Sequence, residues 1–147
     1  MANEIKFEAS VYYGPGLWYS LHLDASEIES EKDEDYFIQR LKRLCRRHPC
    51  GNCSGHCKKY IEDNKPEKYK GLMDDKGNRI GLSKYMWAFH NFVNARLRKK
   101  QLGWEEYYSI YYINRKAVCS EECGEDHVVE ELKKIAGANP FVKVIGT

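Results

Sequence analysis

Apolar residues recur at spacings of three and four along most of the chain, with little strict alternation, so the pattern predicts helices. A first helix starts at Gly14-Pro15, since proline suits the first helical position. Trp18, Leu21, His22 and Ala25 then share one face. A charged loop follows over 27–35. A second helix runs over about 35–47, burying Tyr36 or Phe37, Leu41, Leu44 and Cys45, and His48-Pro49 ends it because the residue before proline avoids helical geometry. A third helix, over about 54–64, follows Cys50-Gly51-Asn52-Cys53 and carries Cys57, Tyr60 and Ile61. Residues 64–83 form a polar excursion with Pro66, Gly71, Gly77 and Gly81, including a short hairpin around Lys76-Gly77. A fourth helix is predicted over about 83–100 with Ser83 as N-cap, and a fifth over 104–115. A last amphipathic segment carries Val128, Val129, Leu132 and Ile135. The fold class is therefore all-α: a small bundle of four or five helices with a C-terminal appendage. Residues 1–115 form the helical domain, and 116–147 an extension bearing Cys119 and Cys123.

At 147 residues the chain can build one domain with its own core. A formal net charge of only +2 gives no reason to expect a nucleic acid partner. The local cluster Arg40, Lys42, Arg43, Arg46 and Arg47 reads as the solvated face of a helix, with a secondary effect of favouring thiolate nearby. The first ten residues carry Glu4, Lys6 and Glu8 and no apolar run, so no signal peptide is expected. No stretch reaches the roughly 18 apolar residues that span a bilayer, so no membrane is expected either. Six cysteines without an export signal then imply a protein that handles thiols or holds a metal.

The Cys50-Gly51-Asn52-Cys53 loop can open and close as a disulfide. It lies at a helix N-terminus, where unsatisfied N–H groups favour negative charge. Arg46, Arg47 and His48 add positive charge upstream, and thiolate is the reactive form. A structural disulfide or half of a zinc site would use the same motif. On the fourth helix, Trp87, His90, Asn94, Leu97 and Gln101 form one stripe, flanked by Asn91 and Arg98. Buried polar groups left unpaired cost roughly 1–3 kcal/mol each, so His90 and Asn94 must meet either nearby backbone or a ligand rich in hydrogen-bonding groups. Trp18 and His22 repeat the aromatic-plus-imidazole theme on the first helix. The two helices together describe an aromatic, hydrogen-bonding slot for a flat redox cofactor. Tyr107, Tyr108, Tyr111 and Tyr112 supply either another wall or core packing.

Three blocks carry a family resemblance: Gly14-Pro15-Gly16-Leu17-Trp18-Tyr19-Ser20-Leu21-His22, then Pro49-Cys50-Gly51-Asn52-Cys53, then His90-Asn91-Phe92-Val93-Asn94-Ala95-Arg96-Leu97. In order and spacing they resemble the Erv/ALR family of FAD-dependent sulfhydryl oxidases, the last block most specifically. The resemblance implies a four-helix bundle with a short fifth helix around FAD. By motif position Gly14, Trp18, His22, His90, Asn91, Val93, Asn94, Leu97 and Lys99 would line the FAD site, with Tyr111 reaching the adenine end. It implies homodimers formed through the first helices. It also implies oxidation of protein dithiols through catalytic Cys50 and Cys53, with Cys50 as the outer sulfur and O2 as acceptor, giving H2O2.

Two departures narrow the resemblance. Trp87 and Trp104 stand where cellular members carry a structural disulfide, which suggests an aromatic contact in its place. Pro15 stands where they carry an arginine. Both resemble the members encoded by large cytoplasmic DNA viruses, and so imply the cytoplasm of an infected host cell and the virion as locations. Cys119 and Cys123 form either a shuttle pair relaying electrons to the core or a structural clip. Cys45 and Cys57 are either buried thiols or a bridge, which needs Cα atoms within about 7 Å. The rival class is a zinc or iron–sulfur module using Cys45, Cys50, Cys53 and Cys57 with His48 or His56. It leaves the His90–Leu97 stripe without a role, so no metal ligands are assigned.

Overall fold

The computed structural model describes residues 14–48 and 51–114. Five α-helices follow in order: α1 Gly14–Ser26, α2 Glu31–Arg47, α3 Gly51–Asp63, α4 Gly81–Arg96 and α5 Trp104–Tyr108. A 3-10 turn at Pro66–Tyr69 precedes α4, and α5 widens into a π-helical turn at Ser109–Ile113. The Asn114 N–H closes that turn on the Ser109 carbonyl, five residues back, at 2.8 Å. Among the described residues there is no strand. Met73 and Arg79 form an isolated antiparallel bridge at the expected hairpin, where Gly77 takes φ 83°. No helix among the described residues is long and apolar enough to cross a membrane. Cys50, Cys119, Cys123 and the C-terminal amphipathic segment lie outside the described residues.

The bundle is two helix pairs, α1 against α4 and α2 against α3. Leu21, Ala25, Ile38, Leu41, Leu82 and Met86 fill the space between them. Helix α2 begins at Glu31, four residues earlier than the pattern suggested, because Ser30 and Asp33 form a reciprocal cap. The Asp33 N–H donates to Ser30 Oγ at 3.1 Å and the Ser30 N–H donates to Asp33 Oδ2 at 3.2 Å. The charges that read as loop are the helix's first turn, where acidic groups suit the dipole. Phe37, 4% exposed, faces the core, and Tyr36, 73% exposed, does not. One turn earlier, the buried Glu34 carboxylate accepts from Arg79 Nη1 at 2.8 Å and from the Gly71 N–H at 2.9 Å. That pairing fastens the polar excursion onto α2.

Helix α4 starts at Gly81, not at a Ser83 cap, and close approach is the reason. A Cβ at Gly81 would lie 1.7 Å from the Tyr69 carbonyl oxygen, so only glycine lets the 3-10 turn rest on the helix start. Ser83 is instead buried, its Oγ 2.6 Å from the Tyr112 hydroxyl. The helix also ends four residues early, at Arg96. The Arg98 N–H bonds the Ala95 carbonyl at 3.1 Å and the Lys99 N–H bonds the Asn94 carbonyl at 2.8 Å. These crossed bonds are a Schellman stop with Arg98 at φ 56°, where glycine is usual. Leu97 and Gln101 thereby leave the helical stripe.

Two constraints hold the ends. Cys45 and Cys57 form a disulfide with Cα atoms 5.4 Å apart, and the Ser54 hydroxyl donates to the Cys45 carbonyl at 2.6 Å beside it. The α4–α5 link is held without sulfur. Trp87 and Trp104 meet edge to face at 5.7 Å, the aromatic contact expected in place of a cross-link. Trp87 Nε1 donates to the Leu102 carbonyl at 2.6 Å, and the Asn91 amide exchanges two bonds with the Leu102 backbone at 2.7 and 2.9 Å.

Gly81→Ala should lower stability by about 2–3 kcal/mol, since the clash is with backbone. Its urea midpoint should fall; an unchanged midpoint would refute the close approach. Replacing Cys45 and Cys57 together by serine should remove about 3 kcal/mol under oxidising conditions. The same replacement should cost much less once wild type is itself measured in excess reductant.

Candidate active site

The site forms where α1, α4 and α5 meet. Helical spacing puts Trp18 and His22 one turn apart on α1, facing His90 on α4. Trp18 and His90 lie parallel at 4.1 Å between ring centroids. His22 is buried and bonded on both nitrogens: Nε2 lies 2.9 Å from His90 Nδ1 and Nδ1 lies 2.9 Å from the Tyr107 hydroxyl. Tyr111 closes the group, its ring 5.3 Å from His22 and 4.5 Å from Tyr107. Trp18, His22, His90 and Tyr111 are thus brought together. Tyr107 is a central member that periodicity could not single out among four neighbouring tyrosines.

Burial dominates the electrostatics. It pushes His22 down to about 3, with His90 adding to the effect, so the imidazole is neutral. Burial also lowers His90, helped by the positive charge of Lys99. It raises Tyr111 to about 12, with Tyr19 contributing, so the phenol keeps its proton.

Behind these rings lies a cavity of about 90 Å³, touched by Trp87, Asn94, Leu102 and Tyr107. Asn91 borders it and also borders a larger cleft between α3 and α4, of about 600 Å³, lined by His56, Lys59, Tyr60, Phe92 and Arg96. The remaining expected residues sit differently. Val93 packs against the apolar core. Leu97 is exposed at the end of α4, and Lys99 is exposed beyond it. The Asn91 amide is committed to Leu102. Gly14 opens α1. Cys53 is exposed in the first turn of α3. Cys45 and Cys57, bonded to each other, are lost as ligands to the metal-binding alternative.

His22 should make the cofactor-free protein sensitive to acid. Its unfolded value is near 6.5 and its folded value about 3, so between them the unfolded chain binds more protons. Stability is therefore full above roughly pH 6.5 and falls as pH drops toward 3. The His22 imidazole signal in NMR should remain that of the neutral ring at pH 5; a ring that titrates near 6.5 would contradict its burial.

The Erv1 / Alr family pattern matches residues 15–113. An FAD-linked sulfhydryl oxidase of African swine fever virus, isolate Pig/Kenya/KEN-50/1950, is 33% identical over 104 residues, covering 69% of this chain and 81% of the relative. The protein of the same description from isolate Warthog/Namibia/Wart80/1980 matches with the same identity and coverage. In structure, the chain resembles the yeast Erv1 core, with a TM-score of 0.60 and 22% identity over 76% of this chain and 91% of that one. The shared fold, and the match over most of the helical domain, lead to one assignment: the chain belongs to the Erv1 / Alr family.

Proposed function

We propose that the chain is an FAD-linked sulfhydryl oxidase that forms disulfides in protein dithiols through Cys50 and Cys53, with O2 as electron acceptor and H2O2 as product. The observation that carries this reading is the family match over residues 15–113, joined to a Cys-x-x-Cys whose Cys53 lies exposed in the first turn of α3.

The residues at the α1–α4–α5 junction suit a flavin nucleotide. Trp18, His90 and Tyr111 offer flat faces, Asn94 offers a donor and an acceptor to a ring edged with nitrogen and oxygen, and His22, bonded on both nitrogens, holds His90 in place. Lys99, near enough to act on His90, supplies positive charge suited to a diphosphate. Trp18 and His90 stack on each other at 4.1 Å. His22, His90, Asn94 and Lys99, with Trp18 and Tyr111, are the residues assigned to hold FAD. Asn91 positions the 97–103 link, and Val93, Leu97 and Gly14 shape the surroundings.

Held by these residues, FAD would supply the two-electron acceptor that links the reduced cysteine pair to O2. The protein's own part precedes that. A substrate thiolate attacks Cys50 of the Cys50–Cys53 disulfide, forming a mixed disulfide and releasing the Cys53 thiolate. The second substrate thiol then attacks the substrate sulfur, freeing Cys50 and leaving a substrate disulfide. Two electrons have passed from substrate to the cysteine pair. The unsatisfied N–H groups at the start of α3 favour the negative charge left on Cys53.

The helical domain, 1–115, carries this activity, and the extension, 116–147, holds Cys119 and Cys123 as a shuttle pair or a clip. We propose a homodimer from the family resemblance, and the cytoplasm of an infected host cell and the virion as locations from likeness to the viral relatives. Cys53→Ser should keep the visible flavin absorbance and lose dithiothreitol-dependent oxygen uptake. Unimpaired uptake by that variant would overturn the role of the pair.

A further inference from the structure

Charge is unevenly placed around the reactive end of the α2–α3 pair. Between Asp35 and Glu62 the chain contains no Asp or Glu. Of the cations in that stretch, Arg40, Lys42 and Lys59 are neutralised by Asp24, Glu67 and Asp63. Arg43, Arg46, Arg47 and Lys58 are exposed and have no carboxylate partner among the described residues. The three arginines stand at i, i+3 and i+4, so they form one stripe along the last turns of α2.

The stripe lies at the end of α2 that a disulfide ties to α3, whose first turn holds Cys53. The Cys45–Cys57 disulfide holds the two helices with Cα atoms 5.4 Å apart, and the Ser54 hydroxyl bonds the Cys45 carbonyl at 2.6 Å. Arg46 directly follows Cys45, Cys53 directly precedes Ser54, and Lys58 directly follows Cys57. The exposed cations and the exposed cysteine therefore share one end of the molecule, locked together covalently. Cations in the last turn would suit the α2 dipole. That role does not call for Arg43, which stands further back, or for Lys58 on the other helix.

We infer that Arg43, Arg46, Arg47 and Lys58 form a docking rim that selects acidic protein segments, presenting cysteines flanked by Asp and Glu to the active pair. The inference rests on the sulfhydryl oxidase reading and specifies its substrate class. An extended acidic segment brings charges that the rim lacks, and a rim of one charge sign steers oppositely charged partners and raises their encounter rate.

The test uses the full-length FAD-loaded enzyme and two synthetic dithiol peptides with the same Cys-x-x-Cys centre, one flanked by Asp and Glu, the other by Lys. At low ionic strength kcat/KM for the acidic peptide should exceed that for the basic one by about tenfold or more, within the range of electrostatic steering. The ratio should fall toward one as salt rises beyond a few tenths molar, where the screening length is only a few ångströms. Arg43→Gln/Arg46→Gln/Arg47→Gln should bring the ratio toward one even at low salt. An effect on thiolate formation alone would change both peptides and dithiothreitol alike, leaving the ratio untouched. A ratio near one in wild type, or a preference retained by the triple variant, would overturn the inference. So would tight, stripe-dependent binding of a single-stranded oligonucleotide without peptide preference, which would make the rim a nucleic acid surface. Failure to oxidise either peptide or dithiothreitol would instead refute the oxidase reading beneath it.

Discussion

His22 is the residue on which the junction of the bundle depends. Its buried imidazole joins α1 to α4 through His90 and to α5 through Tyr107, both at 2.9 Å. A buried nitrogen without a partner would cost roughly 1–3 kcal/mol, so these bonds favour the three elements meeting in this arrangement. The same bonds hold the aromatic rings in place, while burial keeps the imidazole neutral. Folding and ligand chemistry thus draw on one group. The side chains that would meet a flavin are those that close the bundle.

A second constraint lies in how the helices are tied to one another. The α4–α5 link relies on Trp87 against Trp104 and on the Asn91 amide bonded to Leu102. The covalent tie is instead spent on α2 and α3, where Cys45–Cys57 encloses the loop that contains the Cys-x-x-Cys. Burial of Cys45, 1% exposed, argues for a structural role, because a buried apolar surrounding makes a thiolate leaving group poor. Exposed Cys53 has the accessibility that exchange requires. Two disulfide-forming pairs can therefore sit within one short stretch and serve different purposes.

Much of this was legible in the chain. Pro15 marked the start of α1, the Lys76-Gly77 turn marked the hairpin, and the tryptophans at 87 and 104 marked their own contact. The Trp18, His22 and His90 faces followed from helical spacing alone. What was not legible depended on partners distant in sequence. The Ser30 cap was hidden because Asp33, not Glu or Gln, completes the box within a charged run. Gly81 has the sequence setting of a loop glycine, and its need for glycine comes from Tyr69, twelve residues earlier. Arg98 occupies a left-handed stop that normally announces itself with glycine. Neither the Cys45–Cys57 pairing nor the choice of Tyr107 among its neighbours has a local signature, since both are settled by how helices pack.

The most direct test is the visible spectrum of the purified protein under anaerobic conditions, before and after adding dithiothreitol and again after admitting oxygen. A flavin-linked cysteine pair requires oxidised-flavin bands that bleach on adding the dithiol and return with oxygen. A colourless protein, or a bound flavin whose bands ignore the dithiol, would contradict electron transfer from Cys50 and Cys53 to FAD.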